Sequence, residues 1–313
     1  MRVIRHLRRV ETRLPRVVLT LGNFDGVHRG HQAILARARA LADAAGGRVV
    51  VLTFHPHPIA VLAPERAVPQ IQSLHDRLAT LRELGVDVTV AQRFTPAFAA
   101  LDPDAFVARF LSPHLELLQV VAGYNVTFGR DRAGTADTLR ALGEQHGFAV
   151  EKVGPVTVDG VTVSSSAIRR AVTAGDVALA ARLLGRQHRL RGRVVTGERR
   201  GRELGFPTAN LHPHPRVGLP ADGVYAVYAV VDGRPIPAVL NIGVRPTFGE
   251  LRRTVEAHLL DWQGDLYGRW LELELVERLR GEQRFSGPAE LRAAIAADVA
   301  RARVALASRA PTP

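Results

Sequence analysis

The hydrophobic pattern of this chain changes period once, just after Gly185. Upstream, short β-branched runs alternate with segments whose apolar residues recur every three or four positions. Residues 16–21, 49–54, 87–94 and 119–123 read as strands. A helix opens over 27–31 and runs to about residue 45, with Ile34, Leu35, Ala38 and Leu41 on one face. Further helices are predicted over 73–84 and 104–111, and a closing one over 176–185 with Asp176 as its cap. Residues 150–156 and 161–163 read as a final strand pair. Strands alternating with helices build a parallel sheet covered on both faces, because each parallel pairing needs a crossover. Downstream, long helices disappear. Short strands are predicted at 190–197, 223–231, 234–242, 253–260 and 270–279, separated by glycine and proline turns. That spacing suits a small antiparallel barrel. A last helix over 288–305 carries Leu291, Ile295 and Val299 on a face able to pack on it, and 308–313 reads as a loose tail. The expected organisation is an α/β domain over 1–185 and a β domain over 188–313, which 313 residues readily support.

Composition narrows the class. There are no cysteines, so disulfides and thiolate chemistry are excluded and a reducing cytoplasm is the expected location. The arginine-studded first fifteen residues lack the apolar core of a secretory signal. No run reaches the roughly 18 apolar residues that span a bilayer. The formal net charge is +12, almost all of it arginine. These arginines are scattered and the aromatic content is only 5%, so anionic small molecules account for the charge better than nucleic acid. The oligomeric state is left open.

Two stretches carry chemistry in the first half. Gly22, Asn23, Phe24, Asp25 and Gly26 break the first long strand, and Val27, His28, Arg29, Gly30 and His31 open the helix. Such a turn leaves helix N–H groups above the strand end, where they and the helix dipole favour an anion. His28 and His31 are three residues apart and share one helix face, and Gly30 between them leaves room for close approach. A zinc site is disfavoured, since no cysteine or further close histidine supplies the other ligands. Serines 164–166 read as a helix cap, with Arg169 one turn in and able to neutralise a phosphate. Asn125 follows the strand over 119–123, so the turns at Gly22, His55 and Asn125 all fall at the carboxyl ends of strands, where α/β sheets bind ligands.

In the second half, Gly201, Arg202, Gly205, Pro207, Thr208 and Asn210 form a glycine loop that ends in two oxygen-bearing side chains behind a proline. Thr208 and Asn210 suit Mg²⁺, a hard cation that takes oxygen ligands and shares nucleotide phosphates. Farther on, Val255, Ala257 and Leu259 alternate with Thr254, Glu256 and His258, which places Glu256 on the face opposite the apolar row.

The stretch 201–210 resembles the kinase signature of the bacterial bifunctional riboflavin kinase / FAD synthetase family. The His-x-Gly-His of residues 28–31 resembles the phosphate-binding motif of nucleotidylyltransferases, and 123–130 and 164–169 resemble two further family segments. Departures are His55 where an acid is usual, Val126 for an aromatic and Ser166 for threonine. The resemblance implies a Rossmann-like nucleotidylyltransferase domain followed by a riboflavin kinase barrel. It implies riboflavin, FMN and ATP as substrates, FAD as product, and Mg²⁺ as cofactor. In the first domain it gives Gly22, Asn23, Phe24, Asp25, His28, Gly30, His31, Asn125, Ser164, Ser165 and Arg169 to ATP, with His28, His31 and Arg169 stabilising charge. In the second it gives Gly201, Arg202, Gly205, Pro207, Thr208 and Asn210 to ATP, and Thr208 and Asn210 to the metal. Residues 241–248 resemble the flavin-proximal segment, which assigns Asn241, Arg245 and Glu256 to the flavin and makes Glu256 the general base. Two other readings are a working kinase beside a degenerate adenylyltransferase, suggested by His55 and Val126, and a nucleic-acid-binding module, suggested by the charge.

Overall fold

The computed structural model describes residues 1–197, 201, 205–247 and 250–308, without the side chains of 245–252. It divides into two compact units, 1–69 with 73–165, and 70–72 with 166–313.

The first unit is built on six parallel strands: β1 (Arg2–Ile4), β2 (Leu14–Leu21), β3 (Arg48–His55), β4 (Val88–Arg93), β5 (Leu115–Gly123) and β6 (Ala149–Val153), in the spatial order β1-β4-β3-β2-β5-β6. The chain leaves β2 for β3 and β4 on one side and returns to β5 on the other, so β2 and β5 flank the point where strand order reverses. Helix α1 (Arg29–Ala44) follows β2, and the short α2 (Ile59–Leu62) and the longer α3 (Leu74–Glu83) lie between β3 and β4. The turns α4 (Pro96–Ala99) and α5 (Pro103–Ala105) precede a wide helical turn at Phe106–Leu111, and α6 (Ala136–His146) joins β5 to β6. Leu35 and Ala38 of α1 and Leu81 of α3 pack with Val18, Val49 and Val51 on one face of the sheet. Phe106, Phe110, Phe128 and Leu139 pack with Leu19, Val50, Leu52 and Val120 on the other. Near-continuous apolar strands are what two covered faces require.

Two expectations change here. Residues 150–156 and 161–163 do not form the expected strand pair, and only Val156 meets the second segment, accepting from the Val163 N–H at 2.9 Å. Instead β6 extends the main sheet beside β5, and the hairpin consists of β7 (Thr157–Val158) and β8 (Val161–Thr162). Helix α6 was not anticipated, although Thr135 caps it reciprocally with Thr138 and Gly147 ends it at φ 77°.

The second unit carries α7 (Ser165–Ala174, from its second residue on), α8 (Val177–Leu184) and a closed antiparallel barrel of six strands. These are β9 (His188–Val195), β10 (Ala209–Pro213), β11 (Gly223–Val231), β12 (Arg234–Thr247), β13 (Glu250–Leu259) and β14 (Trp270–Arg280), in the cyclic order β10-β13-β12-β11-β14-β9. Strand β10 is the one not expected from the pattern. It closes the ring by pairing Asn210 with both Val195 and Glu256. The barrel interior holds Leu190, Leu211, Tyr225, Leu240, Val255, Ala257 and Leu273, and Val177 of α8 packs with it. Residues 166–184 therefore pack with the barrel, whereas the expected boundary at 185–188 coincides with the start of β9. Helix α9 (Pro288–Ala307) closes the unit, burying Asp298, Ala302 and Leu306. The expected face of Leu291, Ile295 and Val299 is half-buried, and the buried stripe continues toward the C-terminal end.

Candidate active sites

The segment after β2 is shaped by unusual backbone. Phe24, Gly26 and Val27 have φ of 49°, 86° and 40°. A β-branched residue such as valine rarely adopts that region, at a cost of about 1–3 kcal/mol, so its surroundings must impose the conformation. They do so through several bonds. Gln32 donates its side-chain amide to the Val27 carbonyl at 2.9 Å, and the Thr53 hydroxyl donates to the Asn23 carbonyl at 3.0 Å. The Ser165 hydroxyl donates to the Asp25 carbonyl at 2.8 Å. Gly22 continues the sheet by donating to the Leu52 carbonyl at 3.1 Å.

This turn delivers His28 as the N-cap of α1, where its Nδ1 accepts from the His31 N–H at 3.3 Å. An accepting Nδ1 leaves the proton on Nε2 in the neutral ring, so Nε2 is the donor of His28. The two imidazoles stack with centroids 3.7 Å apart and planes 13° apart, and Phe24 tilts against His31 at 4.8 Å. A Cβ at Gly30 would stand 3.2 Å from the His28 ring, so glycine is what lets the stack form. Asn125 is exposed just past β5, and the open face of Gly123 looks toward its Oδ1 and toward Ile34 of α1. The structure thus gathers Gly22, Asn23, Phe24, Asp25, His28, Gly30, His31 and Ser165 at the carboxyl end of β2, with Asn125 at the neighbouring end of β5. Ser164 is half-buried before α7, and Arg169 is half-buried one turn into that helix. A cleft of about 550 Å³ also opens at the carboxyl ends of β1, β3 and β4, rimmed by Arg5, His6, His55 and Arg93. It lies toward the edge of the sheet, away from the strand reversal.

The second constellation lies outside the barrel wall. Asn210 of β10, Glu256 of β13 and Asn241 of β12 are consecutive cross-strand partners. Their neighbours Leu211, Val255, Ala257, Leu240 and Ile242 are buried inside, so all three side chains share the outer face. Glu256 is half-buried between two amides. The loop before β10 is fastened to this wall. Phe206 donates its N–H to the Gly201 carbonyl at 2.7 Å, and His258 Nδ1 pairs with the Pro207 carbonyl at 2.8 Å. The Phe206 and His258 rings meet edge to face at 5.5 Å. Gly205 turns at φ 87°. A Cβ at Gly201 would lie 2.5 Å from the Phe206 carbonyl and 3.2 Å from Thr208 Oγ1, while one at Gly197 would lie 2.2 Å from Asn210 Nδ2. Two glycine faces therefore make room for the Thr208 and Asn210 side chains. Arg202 and Phe248 lie outside the described residues, and Arg245 is placed on β12 by its backbone alone. His258, Gly197 and Gly243 belong to this wall but were not singled out in the sequence. Only the period-two spacing of Glu256 and His258 could have pointed to the first of them.

A parallel sheet with paired histidines at its reversal point, followed by a barrel with a carboxylate and a glycine loop on its wall, defines a two-part enzyme of phosphoryl and nucleotidyl transfer. Family models agree: FAD synthetase matches residues 10–167 and riboflavin kinase matches 184–306. A bifunctional riboflavin kinase/FMN adenylyltransferase from Pseudomonas fluorescens is 43% identical over 311 residues, covering 99% of each chain. The protein of the same description from Escherichia coli K12 is 41% identical over 91% of each chain, and that of Bacillus subtilis is 38% identical over 88% of this chain and 87% of its own. A crystal structure from Streptococcus pneumoniae, described as a macrolide-efflux protein, superposes with a TM-score of 0.87 at 31% identity, covering 96% of this chain and 98% of that one. Among the described residues no helix is long and apolar enough to cross a membrane. The chain belongs to the bifunctional riboflavin kinase/FMN adenylyltransferase family. Its C-terminal part phosphorylates riboflavin to FMN with ATP, and its N-terminal part adenylylates FMN to FAD with release of pyrophosphate.

Proposed function

We propose that Glu256 is the base of the kinase step and that His28, His31 and Arg169 serve the adenylyl step. The observation that carries the first assignment is the row of Asn210, Glu256 and Asn241 across three strands, beside the glycine loop. In this reading Glu256 takes the proton of the riboflavin 5′-hydroxyl as that oxygen attacks the γ-phosphorus of ATP, and ADP leaves. Asn241 and Arg245 orient the flavin, and Gly201, Arg202, Gly205 and Pro207 cover the nucleotide. Thr208 and Asn210 suit a hard cation by donor type: each carries a side-chain oxygen, and each packs on a glycine, Gly201 and Gly197, whose added Cβ would crowd or collide with it. Mg²⁺ held there would neutralise the phosphate charge.

In the adenylyl step an FMN phosphate oxygen attacks the α-phosphorus of a second ATP, and pyrophosphate departs. His28 donates through Nε2 to the phosphates, with His31 stacked on it and Arg169 adding positive charge. Gly22 to Gly30, Ser164, Ser165 and Asn125 form the phosphate and nucleotide contacts. The functional domains proposed are 1–185 and 188–313, supported by the riboflavin kinase match that begins at residue 184. Small anionic substrates, without nucleic acid or membrane, account for the charge, and a cysteine-free chain suits the cytoplasm.

Glu256→Gln is expected to lower FMN formation by roughly 10²-fold or more while FMN and ATP still yield FAD. His28→Ala with His31→Ala is expected to halt the chain at FMN. Chromatography of flavins after incubation with ATP and Mg²⁺ reads both. FMN formation at near the native rate in Glu256→Gln would overturn the base assignment.

A further inference from the structure

Helix α3 buries an arginine. Arg77 is 1% exposed and heads the fully buried side chains among the described residues in size. A guanidinium keeps its proton in a protein, so burying one is costly unless hydrogen bonds replace the lost water. Nη1 of Arg77 donates to the Thr53 hydroxyl oxygen at 3.3 Å and to the Phe54 carbonyl at 3.4 Å, both at the carboxyl end of β3. The helix that presents it is itself held firmly. Ser73 caps its first turn by accepting from the Asp76 N–H at 3.2 Å, and Leu81, one turn beyond Arg77, packs in the core with Val49 and Val51.

Thr53 passes this constraint on. A guanidinium only donates, so the Thr53 oxygen is the acceptor and its own hydrogen must point elsewhere. It points to the Asn23 carbonyl at 3.0 Å. Thr53 is fully buried, so bulk water does not compete for its hydroxyl. Asn23 opens the turn in which Phe24, Gly26 and Val27 take positive φ before His28 caps α1. Gly22, on its other side, is tied to the Leu52 carbonyl at 3.1 Å. The turn thus leaves the sheet through two bonds to β3, one from its backbone and one from the Thr53 hydroxyl. Arg77 orients the second. Strained backbone keeps its shape only where its surroundings over-determine it.

We propose that Arg77 is a positioning residue of the adenylyl step: through the Thr53 hydroxyl it fixes the Asn23 carbonyl, and with it the turn that aims His28. This rests on the reading that His28 serves that step. Arg77 acts through Thr53 and touches no reacting atom.

The test follows FAD formation from FMN and ATP in two variants. Thr53→Val keeps the shape of the side chain and removes the hydroxyl; Arg77→Met keeps the stem and removes the donors. Each is expected to lower kcat about tenfold with the KM for FMN within about twofold, because a displaced group costs most in the transition state. Combined, they are expected to cost no more than the larger single loss, since both act through one bond. Starting from His28→Ala, Thr53→Val is expected to change kcat by less than about twofold, because the group it aims is gone. A loss of folded protein would instead lower kcat equally in both backgrounds. Thermal melts show which variants fold. Should Arg77→Met fail to fold, Thr53→Val in the native and His28→Ala chains decides alone. A native kcat in Thr53→Val or in a folded Arg77→Met overturns the proposal, and so does an equal loss from Thr53→Val in both backgrounds. A native kcat in His28→Ala would remove the reading of the turn itself; a slow His28→Ala beside a native Thr53→Val removes only the role of Arg77.

Discussion

Glycines decide where functional side chains can go in both halves of the chain. Gly30 leaves the His28 imidazole its place against His31, and a methyl there would stand 3.2 Å from the ring. Gly30→Ala is expected to tilt His28 and lower FAD formation from FMN about tenfold or more, because small misplacements of catalytic groups are costly. FMN formation from riboflavin, measured alongside, should not change. The role of Gly30 could be read from its position between two histidines in one helical turn. Gly197 and Gly243 could not be read in this way. Their open faces meet Asn210 and Glu282, which are 13 and 39 residues away and arrive only through strand pairing.

At the level of elements, α9 shows how an apolar pattern can hide a polar anchor. Its face carries Val299 and Leu306 against the barrel, with Asp298 buried beside them. Asp298 pairs with Arg280 of β14 and with Arg301. Breaking a buried pair leaves an uncompensated charge, so Asp298→Ala is expected to cost about 3 kcal/mol, read as a fall in thermal midpoint. Strand β11 supplies a second test. Burial pushes the Tyr225 hydroxyl above its ordinary pKa, while Arg278 and Arg253 pull it down less strongly. The hydroxyl donates to the Ala221 carbonyl. A raised pKa means that the folded chain keeps this proton after the unfolded chain has lost it. Stability from Tyr225 is therefore full below the unfolded value near pH 10 and is lost as pH rises beyond it. Tyr225→Phe should flatten that alkaline decline in denaturant melts. Strand β10 escaped notice because its inward residues are only Ala209 and Leu211, and two apolar positions ending at Pro213 are too short a period to read.

For the whole molecule, the proposed assignments give the two steps separate constellations, one at the carboxyl ends of β2 and β5 and one on the outer wall of the barrel. Neither mutant chain alone should make FAD from riboflavin when one carries Glu256→Gln and the other His28→Ala with His31→Ala. Mixed, they are expected to restore FAD, because FMN made by the second can be adenylylated by the first. Chromatography of the mixture against each chain alone provides the check.

The change of hydrophobic period and the glycine turns were enough to assign a parallel α/β half and a barrel half, and the resemblance of stretches such as 28–31 and 201–210 to family segments supplied the enzyme family. Those are local properties, set by which residues follow one another within a turn or a strand. The sixth barrel strand, the place of β6 in the main sheet, the packing of α8 against the barrel core and the row of Asn210, Glu256 and Asn241 depend on residues far apart in the chain. Register and closure come from the burial of a shared core, and no short window of sequence contains that core.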